Sequence, residues 1–311
     1  MAPTSMKVYV PETDTFSYWA ISSLDADSAL ATDRERAQIL LVRVGTRVDE
    51  ALLEAMPSLR LVATATTGLD HIDHDACDRR GVSIVSLKGD TAFLSDLPNT
   101  AEHAFALLLA LYRRLHPAWQ DVLSGNWRQA PFRGRTLRGR SFGIVGYGRL
   151  GRIAGRIAEG FGMNTVVWDP NPVFGPEDDV AVADSLEILA ASADVLSLHA
   201  DLNDANVGMI DRVVFERMPE GSVLINTARG QLVDEPDLLA ALREGRIAGA
   251  GLDVIDREEA FSADSPLLEY ARDHDNLILT PHIGGQTVEA VEAADRHILG
   301  KIEKWCKSNV C

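Results

Sequence analysis

The chain has 311 residues, 46% of them hydrophobic, and a formal net charge of −16. That length and apolar content point to two cored domains rather than one, and the acidic balance argues against binding DNA, RNA or an anionic membrane through overall charge. No uninterrupted apolar run approaches the ~20 residues that span a bilayer, and residues 1–10 lack a basic segment followed by an apolar one, so no signal peptide is expected.

In the first hundred residues short apolar runs alternate with polar, helix-compatible stretches. Strands are expected at 7–10, 39–42, 61–65 and 83–85, with helices at 49–56 and 73–80. Such alternation implies a parallel sheet. The third strand runs into Thr66-Thr67-Gly68-Leu69-Asp70, a loop expected at a carboxyl-end crevice. Residues 100–123 carry Ala101, Ala104, Phe105, Leu108, Leu109, Leu111 and Leu115 at helical spacings. They predict one long helix, capped by Thr100, with Glu102 in its first turn. Residues 125–139, with Arg128, Arg133, Arg135 and Arg138, read as an irregular connector that continues into Arg140.

Gly146, Gly148 and Gly151 then follow the apolar run 141–145, and a helix-like stretch covers 150–160. Asp169 ends the next apolar run, 18 residues beyond Gly151. A G-x-G-x-x-G in that context predicts a dinucleotide site. Gly146 permits the turn out of the strand, Gly148 lets the backbone approach a pyrophosphate, and Gly151 lets helix and strand pack. Free N–H groups at the helix start face the phosphates. Asp169 is expected to accept hydrogen bonds from an adenosine ribose. A carboxylate repels a 2′-phosphate, and no Arg follows in Pro170-Asn171-Pro172-Val173, so NAD is favoured over NADP.

A second series of strands is expected at 195–198, 222–226, 248–252 and 277–279, with helices at 235–244 and 286–306. The dinucleotide unit lies mid-chain, so the tail should return to the N-terminal domain, leaving a cleft between two lobes. Arg229, Asp253, Glu258 and His282 stand just beyond the last three strands. Strand carboxyl ends open onto the ligand crevice of a doubly wound sheet. These side chains are therefore expected to converge beside a nicotinamide. Arg229 can hold a carboxylate in a planar fork and polarise the adjacent carbonyl. His282 can give a proton to a developing alkoxide, or remove one in the other direction. Glu258 can bond the other imidazole nitrogen, fix its tautomer and favour the imidazolium. Asp253 suits the nicotinamide side or a supporting hydrogen bond. Singly, each has a plainer reading: a surface ion pair, a structural histidine, a solvated loop, a turn cap. Together they point to hydride transfer at a 2-keto or 2-hydroxy acid.

The stretches Asn226-Thr227-Ala228-Arg229-Gly230, Gly249-Ala250-Gly251-Leu252-Asp253-Val254 and Leu279-Thr280-Pro281-His282-Ile283-Gly284-Gly285 resemble signatures of the NAD-dependent D-isomer-specific 2-hydroxyacid dehydrogenases. That family includes phosphoglycerate, D-lactate, glycerate and formate dehydrogenases. The resemblance takes in Thr67-Gly68-Leu69-Asp70, Ala101-Glu102-His103 and Gly125-Asn126-Trp127 as well. It implies an α/β fold of two Rossmann-like, doubly wound parallel-sheet domains with an interdomain cleft. Residues 1–99 with 286–311 would form a flavodoxin-like substrate domain. Residues 100–285 would form the NAD-binding domain, its long helix and connector making most of a homodimer interface. By similarity Arg229, Glu258 and His282 are the catalytic residues, and the backbone at Thr67 and Gly68 binds the substrate carboxylate with Arg229 and His282. Arg149 and Leu150 would sit at the pyrophosphate. Thr100, His199, Thr227, Ala228, Asp253, Gly284 and Gly285 would lie beside the cofactor, with Arg229 and His282.

The chain departs from the family's usual pattern after Leu198-His199, where Ala200-Asp201-Leu202-Asn203 replaces a Pro-Leu-Thr type loop. The segment 88–95 is longer than expected and is a candidate for shaping the substrate pocket. Asp70-His71-Ile72-Asp73-His74-Asp75 has the spacing of a metal site, but helix capping and loop hydrogen bonds explain it better, and no metal is expected. The arginines of 133–140 are expected to make interface or interdomain ion pairs rather than a nucleic-acid patch. Cys77, Cys306 and Cys311 are too few and too widely spaced for a disulfide framework, which suits free thiols in the cytoplasm. Two rival readings stand beside the enzyme: a non-enzymatic NAD(H)-sensing protein like the family's corepressor relatives, and a dehydrogenase of formate or phosphite.

Overall fold

The structure is a computed structural model that describes residues 6–26, 29–175 and 178–309. The chain divides into two compact units, residues 1–97 with 286–311 and residues 98–285.

In the first unit a parallel sheet contains β1 (Val8–Tyr9), β2 (Ile39–Val42), β3 (Leu61–Thr64) and β4 (Ser83–Val85), in that spatial order. Every residue of β2 and β3 is buried, as expected of a parallel sheet covered on both faces. The helices are α1 (Tyr18–Ala26), α2 (Glu50–Glu54), α3 (His74–Arg79) and α4 (Thr91–Leu94). Asp49 and Asp73 start α2 and α3 by accepting the amides of Leu52 (2.9 Å) and Ala76 (2.8 Å). Asp73 is thus a cap in the segment with metal-site spacing. No group of three or more potential metal-ligating side chains occurs among the described residues.

The second unit begins with α5 (Asn99–Tyr112) and α6 (Leu115–Leu123). The single helix expected over 100–123 is in fact two. Arg114 adopts a left-handed backbone, φ +50°, and its guanidinium pairs with Asp275 at 2.6 Å. The Tyr112 carbonyl accepts the Arg135 amide of the connector. The apolar spacing runs on because α6 has an apolar face of its own, which is exposed (Leu115, Trp119, Val122, Leu123). The connector arginines make contacts within this unit: Arg128 with Asp121, Arg135 with the Gly221 carbonyl, Arg140 with Asp194.

A seven-stranded sheet follows, built from β5 (Ser141–Val145), β6 (Asn164–Trp168), β7 (Ala181–Val182), β8 (Val195–Leu198), β9 (Val223–Asn226), β10 (Gly249–Leu252) and β11 (Leu277–Leu279). Its order is β11-β10-β9-β8-β5-β6-β7, with every pairing parallel. Between strands lie α7 (Arg149–Gly160), α8 (Leu186–Ser192), α9 (Arg212–Arg217), α10 (Glu235–Arg243) and α11 (Pro266–Asp273). Phe105, Leu108, Ile153 and Ala154 of α5 and α7 belong to one buried core. Leu189, Phe215, Leu238 and Tyr270 of α8 to α11 belong to another. Winding reverses at β5, whose neighbours are β6 on one side and β8 on the other. Ligands of doubly wound sheets bind at such a switch point, beyond the carboxyl ends of the strands.

The last helix, α12 (Val288–Asn309), packs on α1, β3 and β4 of the first unit. Its Asp295 is fully buried and accepts Arg43 Nη2 (2.6 Å) and the Ser17 amide (2.7 Å). The segment 88–95 is tied to the same helix. Lys301 Nζ donates to Asp90 at 2.7 Å, His297 lies 3.0 Å from the same carboxylate, and Phe93 stacks on the His297 ring. Cys77 and Cys306 are free, buried thiols, and Cys311 lies outside the described residues. No helix among the described residues is long and apolar enough to cross a membrane.

Candidate active site

Apart from Thr100 on α5, the expected site residues of the second unit lie in the segments that follow the carboxyl ends of its strands. At β5 the chain turns through Gly146, φ +91°. A Cβ there would stand 2.6 Å from the Ala200 amide nitrogen after β8, so only glycine lets the two strand ends lie this close. At Gly151 a Cβ would meet the Gly146 carbonyl at 2.3 Å, which explains the third glycine as helix-on-strand packing. Gly148 differs. A Cβ there meets nothing within 4 Å, so open space lies over the start of α7. Arg149 and Leu150 open that helix, and burial lowers the Arg149 pKa. At β6, Asp169 accepts the amides of Tyr147 and Asn171, both at 2.8 Å. A carboxylate has about four lone-pair positions, so acceptor capacity remains for ribose hydroxyls.

Two buried polar atoms beside this turn have no partner among the described residues: His199 Nδ1 beyond β8 and Thr227 Oγ1 beyond β9. His199 Nε2 lies 2.9 Å from Ser197 Oγ, and burial pushes its pKa down to about 4. The ring is therefore neutral at pH 7. Orphaned buried polar groups are uncommon in folded proteins. Two of them just beyond the adjacent strands β8 and β9, with open space over the start of α7, fit a dinucleotide.

Beyond β9, Asn226 is fully buried and shapes the turn that carries Arg229. Its Nδ2 donates to the Arg229 carbonyl (2.8 Å), and its Oδ1 accepts the Ala228 amide (3.0 Å). Arg229 Nη1 donates to the Ala228 carbonyl at 2.7 Å. Next in the chain is Gly230, where a Cβ would stand 1.9 Å from the Ile255 carbonyl carbon. The Arg229 turn thus lies directly on the backbone that leads from β10 to Glu258.

Glu258 Oε2 and His282 Nδ1 are 2.7 Å apart. The carboxylate accepts the Nδ1 hydrogen, which leaves Nε2 for a reacting atom. His282 has a left-handed backbone, φ +54°, which costs a non-glycine residue roughly 1 kcal/mol. The surroundings hold it there. Its amide lies 2.8 Å from the Asp253 carbonyl and 3.0 Å from that of Thr280. The Asp253 side chain accepts the amides of Ile283 (2.9 Å) and Gly284 (2.7 Å) and the Thr280 hydroxyl (2.6 Å). Burial raises the Asp253 pKa, but the bonds from His103, Thr280, Gly284 and Ile283 outweigh that and hold it below the usual carboxylate value. Thr100 belongs to the same neighbourhood: a Cβ on Gly284 would meet its methyl at 3.4 Å. Gly285 faces open space.

Thr67 and Gly68 lie in the first unit, beyond β3. Their loop is set by a hydroxyl relay. Thr66 Oγ1 donates to the Gly68 carbonyl (2.8 Å), so Thr64 Oγ1, also 2.8 Å away, donates to Thr66, and His71 Nε2 lies 3.3 Å from Thr64. Sequence reasoning missed Asn226, Thr280 and His103 as supports of the site. All three stand inside motifs named above; for Asn226 the available signal was a polar residue at a buried strand end.

Residues 105–284 match the model of the D-isomer specific 2-hydroxyacid dehydrogenase NAD binding domain. The D-3-phosphoglycerate dehydrogenase of Archaeoglobus fulgidus is 33% identical over 296 residues, 92% of this chain and 54% of that protein. The chain thus spans about half the length of the phosphoglycerate dehydrogenases it matches. The glyoxylate reductase of Thermococcus litoralis is 35% identical over 279 residues, 87% of this chain and 81% of that protein. The D-lactate dehydrogenase of Aquifex aeolicus, solved with NAD and lactic acid, superposes with a TM-score of 0.82 at 28% identity, over 97% of this chain and 96% of that one.

Proposed function

The chain belongs to the D-isomer specific 2-hydroxyacid dehydrogenase family, and from that premise we propose that it interconverts a 2-keto acid and a D-2-hydroxy acid with NAD as cofactor. NAD, when bound, would supply hydride transfer at C2 of the acid. Gly146, Gly148, Arg149, Leu150 and Gly151 hold the pyrophosphate, and Asp169 holds the adenosine ribose and repels a 2′-phosphate. Thr100, His199, Thr227, Ala228, Asp253, Gly284 and Gly285 line the cofactor. Arg229 grips the substrate carboxylate, assisted by the Thr67 and Gly68 backbone, and polarises the carbonyl. His282 gives its Nε2 proton to the oxygen in reduction and takes it back in oxidation, while Glu258 fixes the ring and balances its charge.

The observation that carries this reading is the 2.7 Å bond between Glu258 and His282 Nδ1, in a loop whose backbone Asp253 pins. It supports an imidazole held ready for proton transfer. A net charge of −16 disfavours a nucleic-acid partner bound through overall charge, and an acid substrate must be held by local donors such as Arg229. Free buried thiols support a cytoplasmic protein. The exposed apolar face of α6 supports a homodimer.

The test is NADH oxidation with glyoxylate, hydroxypyruvate, phosphohydroxypyruvate and pyruvate, repeated with NADPH. Turnover of at least one acid is expected, with kcat/KM about tenfold or more lower for NADPH. NADH binding without turnover of any of these acids would overturn the enzymatic reading in favour of a sensor.

A further inference from the structure

His103 lies on α5, far in sequence from the strand-end motifs that carry the proposed chemistry. Its Nε2 is 2.9 Å from Thr280 Oγ1 and 3.2 Å from Asp253 Oδ1. The hydroxyl of Thr280 has one hydrogen and stands 2.6 Å from Asp253 Oδ1. An ionised carboxylate only accepts, so that hydrogen goes to Asp253. Thr280 Oγ1 must then accept, and its neighbour on that side is His103 Nε2. The hydrogen of His103 is thereby assigned to Nε2. The chain of donors runs from His103 to Thr280 to Asp253, which in turn receives the amides of Ile283 and Gly284.

A second side chain of the same helix acts on the same loop. Asn99 Nδ2 donates to the Gly284 carbonyl at 2.9 Å. Asn99 and His103 are four residues apart and share one helix face. The first turn and a half of α5 thus holds the loop at a carbonyl directly and at two amides through Asp253. The fit is close: a Cβ on Gly284 would stand 2.9 Å from Asp253 Oδ2 and 3.7 Å from the His103 ring.

We propose that His103 is a positioning residue for His282: through Thr280 and Asp253 it locks the left-handed turn that aims the imidazole. The inference rests on the reading of His282 as the acid–base group, and the relay itself can be measured without it. Without the His103 hydrogen bond, the Thr280 hydroxyl keeps its bond to Asp253 but loses the donor that orients and polarises it, and Asp253 loses the N–H that lies 3.2 Å away. The amides of Ile283 and Gly284 then open more often, and His282 relaxes toward an ordinary backbone. Cofactor contacts made by β5 and α7 are untouched.

The test uses the full chain and three variants: His103→Leu, His103→Gln and Thr280→Val. Hydrogen exchange of residues 280–285 is followed by mass spectrometry without ligand, and kcat and KM are measured with NADH and the best keto acid. For His103→Leu, exchange is expected to rise about tenfold and kcat to fall about tenfold, while KM for NADH stays within about twofold. Gln supplies an N–H at nearly the same place and should restore both quantities to within about threefold of the parent. Thr280→Val should behave like His103→Leu, and it carries the test if the leucine variant fails to fold. Unchanged exchange in a folded His103→Leu, whatever Thr280→Val shows, or unchanged exchange in Thr280→Val, would overturn the relay. So would a glutamine variant as impaired as the leucine one, since that result assigns His103 to packing alone. If no keto acid is turned over, the exchange data still decide the relay, and only the enzymatic reading falls.

Discussion

In the proposed reaction His282 and Arg229 act at different points, so their losses should look different. Removing the imidazole in His282→Ala should lower kcat by about 10²- to 10⁴-fold while NADH still binds. Removing the guanidinium in Arg229→Ala should raise KM for the keto acid and lower kcat/KM by roughly 10- to 100-fold. Steady-state kinetics with NADH-binding titration checks both, and unchanged rates in either variant would remove that residue from the site. His199 allows a test by pH. Its folded pKa is about 4, against 6.5 for an ordinary histidine. The unfolded chain therefore takes up a proton below pH 6.5 that the folded chain refuses, and stability falls as pH drops from 6.5 toward 4. The ring is not fully shielded, so the loss should be on the order of 2–3 kcal/mol. Denaturant melts of the parent and His199→Gln at pH 7 and pH 4.5 should show a smaller acid loss in the variant. Parallel losses would mean that the ring is not buried as a neutral group. The proposed catalytic Arg229 and His282 could be named from the sequence because they follow strands within specific motifs, and Glu258 because it lies five residues beyond Asp253. The supports could not be, since a hydroxyl or an amide at a strand end has no distinctive spacing until the loop it holds is known.

At the scale of elements, glycines that look alike in sequence do different work. Gly148 and Gly230 both follow a strand and precede a helical turn. At Gly148 a methyl group meets open space and the backbone has φ −79°. Gly148→Ala should therefore keep the parent's melting temperature and weaken NADH binding, because the methyl stands where the pyrophosphate approaches. At Gly230 a methyl group would overlap the Ile255 carbonyl. Gly230→Ala should cost about 1–3 kcal/mol in denaturant melts and impair turnover by parting the Arg229 and Glu258 segments. A Gly230→Ala chain as stable and active as the parent would show that these segments do not depend on that contact. Most strands were readable because short, largely apolar runs of three or four residues bounded by polar stretches leave few alternatives: 39–42, 83–85, 195–198 and 277–279 appear as expected. Several short helices of six to nine residues were passed over, among them α1, α8, α9 and α11. The break between α5 and α6 was hidden because it is made by partners distant in sequence, Asp275 and the Arg135 amide. Periodicity reports which side of a helix is apolar, not what that side meets.

On the whole molecule, the decisive quantity is the apolar surface left over after both units fold. Leu115, Trp119, Val122 and Leu123 recur at helical spacing along α6, and Trp119 and Trp127 are 59% and 84% exposed. A monomer rarely leaves such a face in water, and a second copy of the chain is the proposed cover. Opposing this, each chain carries a net charge of −16. Two such chains repel over distances comparable to the Debye length, which falls from about 30 Å at 0.01 M salt to about 8 Å at 0.15 M. Association should therefore strengthen as salt rises, the reverse of a contact held by opposite charges. Sedimentation at micromolar protein should give twice the chain mass of 33.8 kDa at 0.15 M salt, with a growing share of single chains as salt is lowered. Trp119→Glu combined with Trp127→Glu adds charge to the apolar face and should hold the protein at 33.8 kDa in both conditions. A parent chain that sediments as a monomer throughout would leave this face uncovered by a second copy. A dimer that weakens as salt rises would instead place the contact on complementary charges.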